Sequence, residues 1–346
     1  MLRALGSGGL RPAVSQRMDV CGHASAGSML ARLFGTAAGT PPPPPAAGDV
    51  TAAAEQPGSE EERAASLPAE QLAKALLAGN ARGQLTTIAA GDPGTEESKV
   101  HSSVVSYLSP RGEAPVVLLG AGPQGVQHLA NLGESAKASL ATGHISPSWF
   151  IQRLRSTGWL PRRVALLGSL EPLPAGEVKF AVEQARKACS PAPGLASLLP
   201  GNDGTMSGLV GYRLRGITQA VYVDMTGKQH SVAPEELDSC LLDPLALCQH
   251  DLLAELNQGE EWQAQLQLFC AAYLGVHASE VLLTQADRLG FTLLGAPAQQ
   301  AQQAQQGQQR WRQFRIGSAR ELRGRQQFLE LLQQMRAEVA AAAGAA

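Results

Sequence analysis

Gln84-Leu85-Thr86-Thr87-Ile88-Ala89, Val100-His101-Ser102-Ser103-Val104-Val105-Ser106-Tyr107 and Pro115-Val116-Val117-Leu118-Leu119 follow one another along the chain. Each run is short and rich in β-branched residues. A Gly/Pro/acid loop separates the first two, and Ser109-Pro110-Arg111-Gly112 separates the second from the third. This pattern predicts three consecutive strands with no helix between them. A doubly wound parallel sheet needs a helix after each strand. The order therefore predicts an antiparallel barrel or sheet, and an α+β fold class.

Working outward, Ser66 is a candidate helix cap, with Pro68 in the first turn and Glu70 at the positive end. Leu72, Ala73, Leu76 and Leu77 form one apolar face, and Gly79-Asn80 ends the helix. Beyond the third strand the pattern predicts a helix over 124–133 and strands over 136–142 and 163–173. A helix over 175–189 follows, with Val178, Ala181, Val182 and Ala185 on its apolar face. Leu209–Leu214 and Ile217–Val223 read as a hairpin turning at Arg215-Gly216. Together 63–239 make a barrel domain. From Pro234 helices dominate, over 234–241, 243–257 and 260–273. Val281–Ala286 and Leu289–Leu294 read as a hairpin at Asp287-Arg288, which defines a small α/β domain over 240–296. A Gln/Ala-rich insertion fills 297–312. Residues 313–346 are a C-terminal extension with a helix carrying Leu322, Phe328, Leu331, Leu332 and Met335.

Residues 1–62 read differently. Between Met1 and Gly48 the charged residues are Arg3, Arg11, Arg17, Arg32 and Asp19, amid Ala, Gly and Ser. A basic, acid-poor leader of this kind has the composition of a mitochondrial or chloroplast transit peptide, which composition does not separate, or else is an ordinary disordered N-terminus. Pro41–Pro45 is a stiff spacer.

Several function classes are disfavoured. A net charge of -2 lacks the basic field of a general nucleic-acid binder, and 4% aromatic residues make a poor stacking surface. No apolar run approaches the roughly 18 residues of a membrane span. Cys21, Cys189, Cys240, Cys248 and Cys270 form no CxxC pair, and no two of the seven histidines are three or four apart, so a metal site is not predicted. No GxSxG elbow occurs. Glu260-Glu261 begins a helix, where paired carboxylates serve the dipole. Gly120-Ala121-Gly122-Pro123-Gln124-Gly125 fits the dinucleotide fingerprint GxGxxG. Its helix is short, no acid ends the next strand, and the neighbouring strands do not alternate with helices. A flavin phosphate needs basic and hydroxyl side chains on adjacent strands. Lys99–Ser103 offers a little of this and Val116–Leu119 offers no basic residue, so FMN is disfavoured.

With that layout, several fragments gain meaning by their order. Gly83-Gln84-Leu85-Thr86-Thr87 and Ser102-Ser103-Val104-Val105-Ser106-Tyr107 look like the first two strands of a split barrel. Gln127-His128-Leu129-Ala130-Asn131-Leu132 is similar to a His-Thr-x-Asn-Leu helix, with Leu129 for Thr. Ala138-Ser139-Leu140 and Val164-Ala165-Leu166-Leu167-Gly168 fall where later barrel strands belong. Asp243-Pro244-Leu245 and Asp287-Arg288-Leu289-Gly290-Phe291 match the C-terminal unit. The chain resembles the pyridoxamine-phosphate-oxidase-like split-barrel superfamily, specifically its haem-utilisation branch. The FMN-binding-like split β-barrel with a small C-terminal α/β domain is the implied fold.

That branch carries an Asn-x-Asp-His motif where this chain has Asn257-Gln258-Gly259-Glu260, without the histidine. A chloroplast subgroup whose members bind glutamyl-tRNA reductase also lacks it. Phe269-Cys270, the Asp-Arg-Leu-Gly-Phe ending, Phe314-Arg315-Ile316 and a last helix are similar to that subgroup. The resemblance implies a homodimeric, non-catalytic regulator of tetrapyrrole synthesis in the chloroplast stroma, with glutamyl-tRNA reductase as partner and haem as a sensed ligand. Imidazole is the ordinary axial ligand of haem. His128, at the matching position, is the first candidate and His101, on a strand, the second. Both also fit a structural role. Arg162 and Arg163 suit haem propionates, or are strand-entry charges. The rival implied by the superfamily is a flavin- or haem-dependent plastid oxidoreductase.

Overall fold

A computed structural model describes residues 66–89, 100–109, 111–143, 147–188, 209–298 and 311–344. The readings of the leader 1–62, of Cys21 and Cys189, of the 90–99 loop and of most of the Gln/Ala tract lie outside the described residues.

Helix α1 (Ala69–Gly79) leads into β1 (Arg82–Ile88), β2 (Val100–Leu108) and β3 (Val116–Leu119). Then come α2 (Pro123–Glu134), β4 (Lys137–Gly143), α3 (Ser148–Ser156), β5 (Arg163–Pro172), α4 (Ala175–Ala188), β6 (Val210–Val223) and β7 (Gln229–Val232). All pairings are antiparallel, in the order β3-β2-β1-β4-β5-β6-β7, and β3 also pairs with β6. That last pairing closes six strands into a barrel, with β7 added outside. The period-2 alternation of each strand sends one set of side chains inward. Leu85 lies opposite both Ser103 and Leu140, and Leu140 opposite Leu166. These leucines, with Tyr107 and Leu214, are buried in the barrel core, which α1 covers through Ala73, Leu76 and Leu77.

The hairpin read at Arg215-Gly216 is instead one continuous strand, β6. Gly216 has φ +53°, and the β5–β6 register shifts between Leu167 and Ser169. The glycine serves a bulge rather than a turn. The early half of β6 pairs with β3 on one side and β5 on the other, and the later half pairs with β5 and β7, so the early half closes the barrel. At α1 the N-cap position is taken by Pro68, which offers no side-chain cap bond, rather than by Ser66. Helix α3 and strand β7 have no counterpart in the sequence reading.

After the barrel come α5 (Pro234–Ser239), a 3-10 turn (Ala246–Cys248), α6 (Gln249–Gln258), α7 (Glu260–Leu274), β8 (Ala278–Asp287), β9 (Gly290–Pro297), β10 (Arg312–Gly317) and α8 (Arg325–Gly344). The helix expected from Asp243 starts later, because Asp243 Oδ1 accepts the Leu245 N–H at 2.8 Å and holds a turn there. Strands β8, β9 and β10 form a three-stranded antiparallel sheet. Leu252, Leu256, Leu266 and Phe269 pack against Val281, Leu283, Phe291 and Leu293. Ile316, Phe328 and Leu332, from the extension 313–346, join the same core. Phe150 and Leu154 of α3 pack with Leu282 and Leu294.

The free edge of β8 is covered by two side-chain amides from α6. Asn257 donates to Leu283 O and accepts from Leu283 N, at 2.9 and 2.8 Å. With the Gln249 amide oriented to satisfy both its atoms, it donates to Ala286 O at 2.7 Å and accepts from Ala286 N at 3.1 Å. The amides stand in for a neighbouring strand and protect the edge. Among the described residues no helix is long and apolar enough to cross a membrane.

Candidate functional site

The sequence candidate His128 sits on the inner face of α2, fully buried. Its Nδ1 lies 3.0 Å from Thr87 Oγ1 and its Nε2 2.8 Å from Ser103 Oγ. One ring nitrogen donates and the other accepts, with the hydroxyl roles set accordingly. Asn131, one helical turn on, donates to Thr87 Oγ1 at 3.0 Å, and Gln127 donates to Asn131 Oδ1 at 3.1 Å. The motif His128-Leu129-Ala130-Asn131 is thus a latch that fastens α2 to β1 and β2. Both ring nitrogens are in use, which leaves His128 no lone pair for a ligand. Ser103 beside His128 has the spacing of a nucleophile and base. Both are buried, however, and the pair does not line the nearby cleft.

His101 faces inward from β2, opposite Thr87 in the strand register. Its ring lies against His128, with centroids 4.5 Å apart and planes inclined by 60°. Among the described residues it makes no hydrogen bond, and its Nε2 is buried without a partner. With Val100, Pro123, Gln124, Gln127 and Asn131 it lines an open cleft of about 340 Å³. Of the two histidines it is the one whose residue lines the cleft. The donor set fits haem in one respect, a single free imidazole, and the polar rim is made of Gln124 and Gln127 rather than arginine.

The arginines are elsewhere. Thr87 is in register with Ala138 on β4, and Arg163 with Gly143 at the other end of that strand. Five residues of strand separate them, about 17 Å. Arg162 is buried against the C-terminal unit, near Asp287 and Asp224. Burial lowers its pKa while Tyr222 and those carboxylates oppose the shift. Arg163 is depressed by burial and by Arg155. The structure therefore joins His128 to His101 and separates both from Arg162 and Arg163.

Burial, with the nearby His101 charge, pushes the His128 imidazole down to about 4. The unfolded chain protonates below roughly 6.5, so this group's contribution to stability is full at neutral pH. It drains away as pH falls from about 6.5 to about 4, by about 3 kcal/mol in all. His128→Leu is expected to show a flatter urea midpoint than wild type over that window. Parallel profiles would contradict the assignment.

The GxGxxG segment ends β3 and opens α2, but β3 is antiparallel to both its neighbours, so no parallel-strand crevice exists. Its last glycine has a packing reason. A Cβ on Gly125 would stand 2.0 Å from Gly120 O. The C-terminal motifs are also structural. Asp243 Oδ2 accepts the Arg288 N–H at 2.9 Å, and Arg288 Nη1 donates to Gln71 on α1 at 2.8 Å, so the two matches meet each other and the barrel. Among the described residues no group of His, Cys, Asp and Glu could hold a metal ion, and Cys240, Cys248 and Cys270 are free.

No family model matches the sequence, and no curated protein matches it. Solved structures do. A haem-binding protein from Mycobacterium smegmatis is 22% identical, with a TM-score of 0.47 over 81% of this chain and 99% of that one. HutZ, the haem storage protein of Vibrio cholerae, is 13% identical, with a TM-score of 0.29 over 44% and 94%. A pyridoxamine 5'-phosphate oxidase-like protein from Listeria innocua is 14% identical, with a TM-score of 0.29 over 44% and 96%. The fold assigned to this chain rests on its own strand order and barrel closure.

Proposed function

We propose that this protein is a non-catalytic split-barrel regulator that senses haem through His101 and binds glutamyl-tRNA reductase to tune tetrapyrrole synthesis in the plastid. The observation that carries the reading is the His101 imidazole, without a hydrogen bond among the described residues and on the wall of an open cleft. Haem, when bound, supplies an iron that such an imidazole can ligate. The partner and the compartment rest on the sequence resemblance and the basic leader. The non-catalytic reading is supported by the latch geometry, which commits the nearest hydroxyls to His128. A homodimer is supported by the outward-facing Val100 and Val104 of β2, 53% and 67% exposed. Large side chains of this kind, clustered on one face, fit a partner surface.

The test is a haemin titration of the full chain followed at the Soret band, then addition of reductant, with glutamyl-tRNA reductase capture in parallel. A saturable Soret shift with stable haem, and capture of the reductase, are expected. Haem consumed with turnover, or stoichiometric flavin uptake, would replace the regulator with an oxidoreductase.

A further inference from the structure

Arg162 is a buried charge for which the fold supplies no direct partner. The residue is 7% exposed. Among the described residues its guanidinium makes no hydrogen bond and no ion pair. A guanidinium keeps its charge in proteins and carries five N–H donors. A charge taken out of water is costly unless it is paired and hydrogen-bonded. The carboxylates nearby are engaged elsewhere. Asp287 accepts both Nη groups of Arg315, the Gln285 amide and the Leu289 N–H. Asp243 accepts the Leu245 and Arg288 N–H groups, and the Arg288 guanidinium lies 3.8 Å from it. Asp224 accepts from Thr226, from the Lys228 N–H and, at 3.0 Å, meets His230. The two buried carboxylates thus have an arginine each, and Arg162 is the cation left over.

Arg162 lines a small cavity of about 30 Å³. One wall is apolar, from Leu72 and Leu76 of α1. The other comes from the C-terminal unit, with Asp243, Gln249, Gln285 and Asp287. The cavity therefore lies on the joint between barrel and C-terminal unit. Its side-chain amides have no donor to spare, because Gln285 donates to Asp287 and Gln249 to Ala286 O. A space of this size holds one monatomic ion or a water or two. It is too small for the carboxylate arm of a haem.

We infer that this cavity is a binding site for one monatomic anion of chloride size, held by Arg162 at the joint. A water molecule accepts from the guanidinium but leaves the buried charge unbalanced. An anion answers both needs. The arginines paired with Asp243 and Asp287 offset the repulsion from those carboxylates, and the leucine wall suits a weakly hydrated halide. Arg162 directly precedes β5, so the bound ion ties the C-terminal unit to the barrel.

Urea denaturation of the full chain in sodium chloride and in sodium gluconate, at equal ionic strength, tests it. Gluconate is too large for the cavity. A ligand that binds only the folded state stabilises it, so the folded-to-unfolded ratio is expected to rise about 100-fold when chloride reaches about 100 times its Kd. Bromide is expected to replace chloride. Arg162→Met, which keeps an apolar stem and removes the charge, is expected to lose the difference between the salts. Should that variant fold poorly, crystals of the wild-type chain soaked in bromide carry the test, with an anomalous peak expected against the Arg162 guanidinium. Equal midpoints in the two salts, or no anomalous peak at Arg162, overturn the site. A peak without chloride-specific stabilisation marks an adventitious ion only and overturns it as well.

Discussion

Gly290→Ala is expected to unfold the C-terminal sheet. Gly290 opens β9 with φ +137°, a conformation L side chains rarely adopt. A Cβ there would stand 2.1 Å from Ile316 O and 3.0 Å from Gly317 Cα, both backbone atoms of β10. No rotamer relieves a backbone clash, so β10 must separate from β9, taking Ile316 out of the core it shares with Phe291 and Phe328. Strain at such a position alone costs on the order of 1–3 kcal/mol, and the lost strand pairing adds to it. Urea denaturation followed by tryptophan fluorescence, to which Trp311 just before β10 contributes, reads the result. Gly133→Ala is the control. Nothing lies within 4 Å of its added Cβ, and a helical glycine is being removed, so a gain of about 0.5–1 kcal/mol is expected. Similar midpoints for the two variants would contradict this account of the β9–β10 approach.

Asp287→Ala has the second large effect. The carboxylate is buried, and its side chain accepts both Nη groups of Arg315, the Gln285 amide at 2.7 Å and the Leu289 N–H at 2.9 Å. Removing it takes the carboxylate that both Nη groups meet away from a largely buried guanidinium, which keeps the longer bond to Thr292 at 3.2 Å. Breaking one side of a buried pair costs roughly 3–5 kcal/mol, because the remaining charge loses its compensation. The β8–β9 turn also loses the bond to Leu289 that holds it. Chemical denaturation is the measurement, and a loss below about 1 kcal/mol would show that the pair is solvated rather than integral. Together these two positions explain why Asp287-Arg288-Leu289-Gly290-Phe291 is so recognisable. Its aspartate fastens β10 through Arg315, its arginine reaches Gln71, its glycine admits β10, and its phenylalanine fills the core.

The barrel was legible because strands announce themselves locally. The β-branched runs at 84–89 and 100–107 and the aliphatic run within 163–173 became β1, β2 and β5 with small shifts at their ends. What misled was Gly216. A glycine after Arg215 carries the same turn signal whether the chain reverses or merely bulges, and only the partner strands decide. Helix α3 was invisible because it pairs Trp149 and Phe150 with charged residues in a short segment, and its packing against Leu282 and Leu294 is long-range. At the site, the sequence supplied His128 and His101 but not their roles. The motif position favoured His128. The hydroxyls of Thr87 and Ser103, contributed by two different strands, reverse that ranking by occupying both of its nitrogens. Arg162 and Arg163 follow a gap of roughly twenty residues after Thr142, and nothing local says that strand β5 begins at the far end of β4 from the histidines.

The central claim is that His101, and not His128, receives the ligand. It is tested most directly by haemin titration of wild type, His101→Ala and His128→Leu, each followed at the Soret band. The account predicts a saturable shift in wild type, its loss in His101→Ala, and its retention in His128→Leu. Retention in His101→Ala with loss in His128→Leu would contradict it and return the site to the buried histidine.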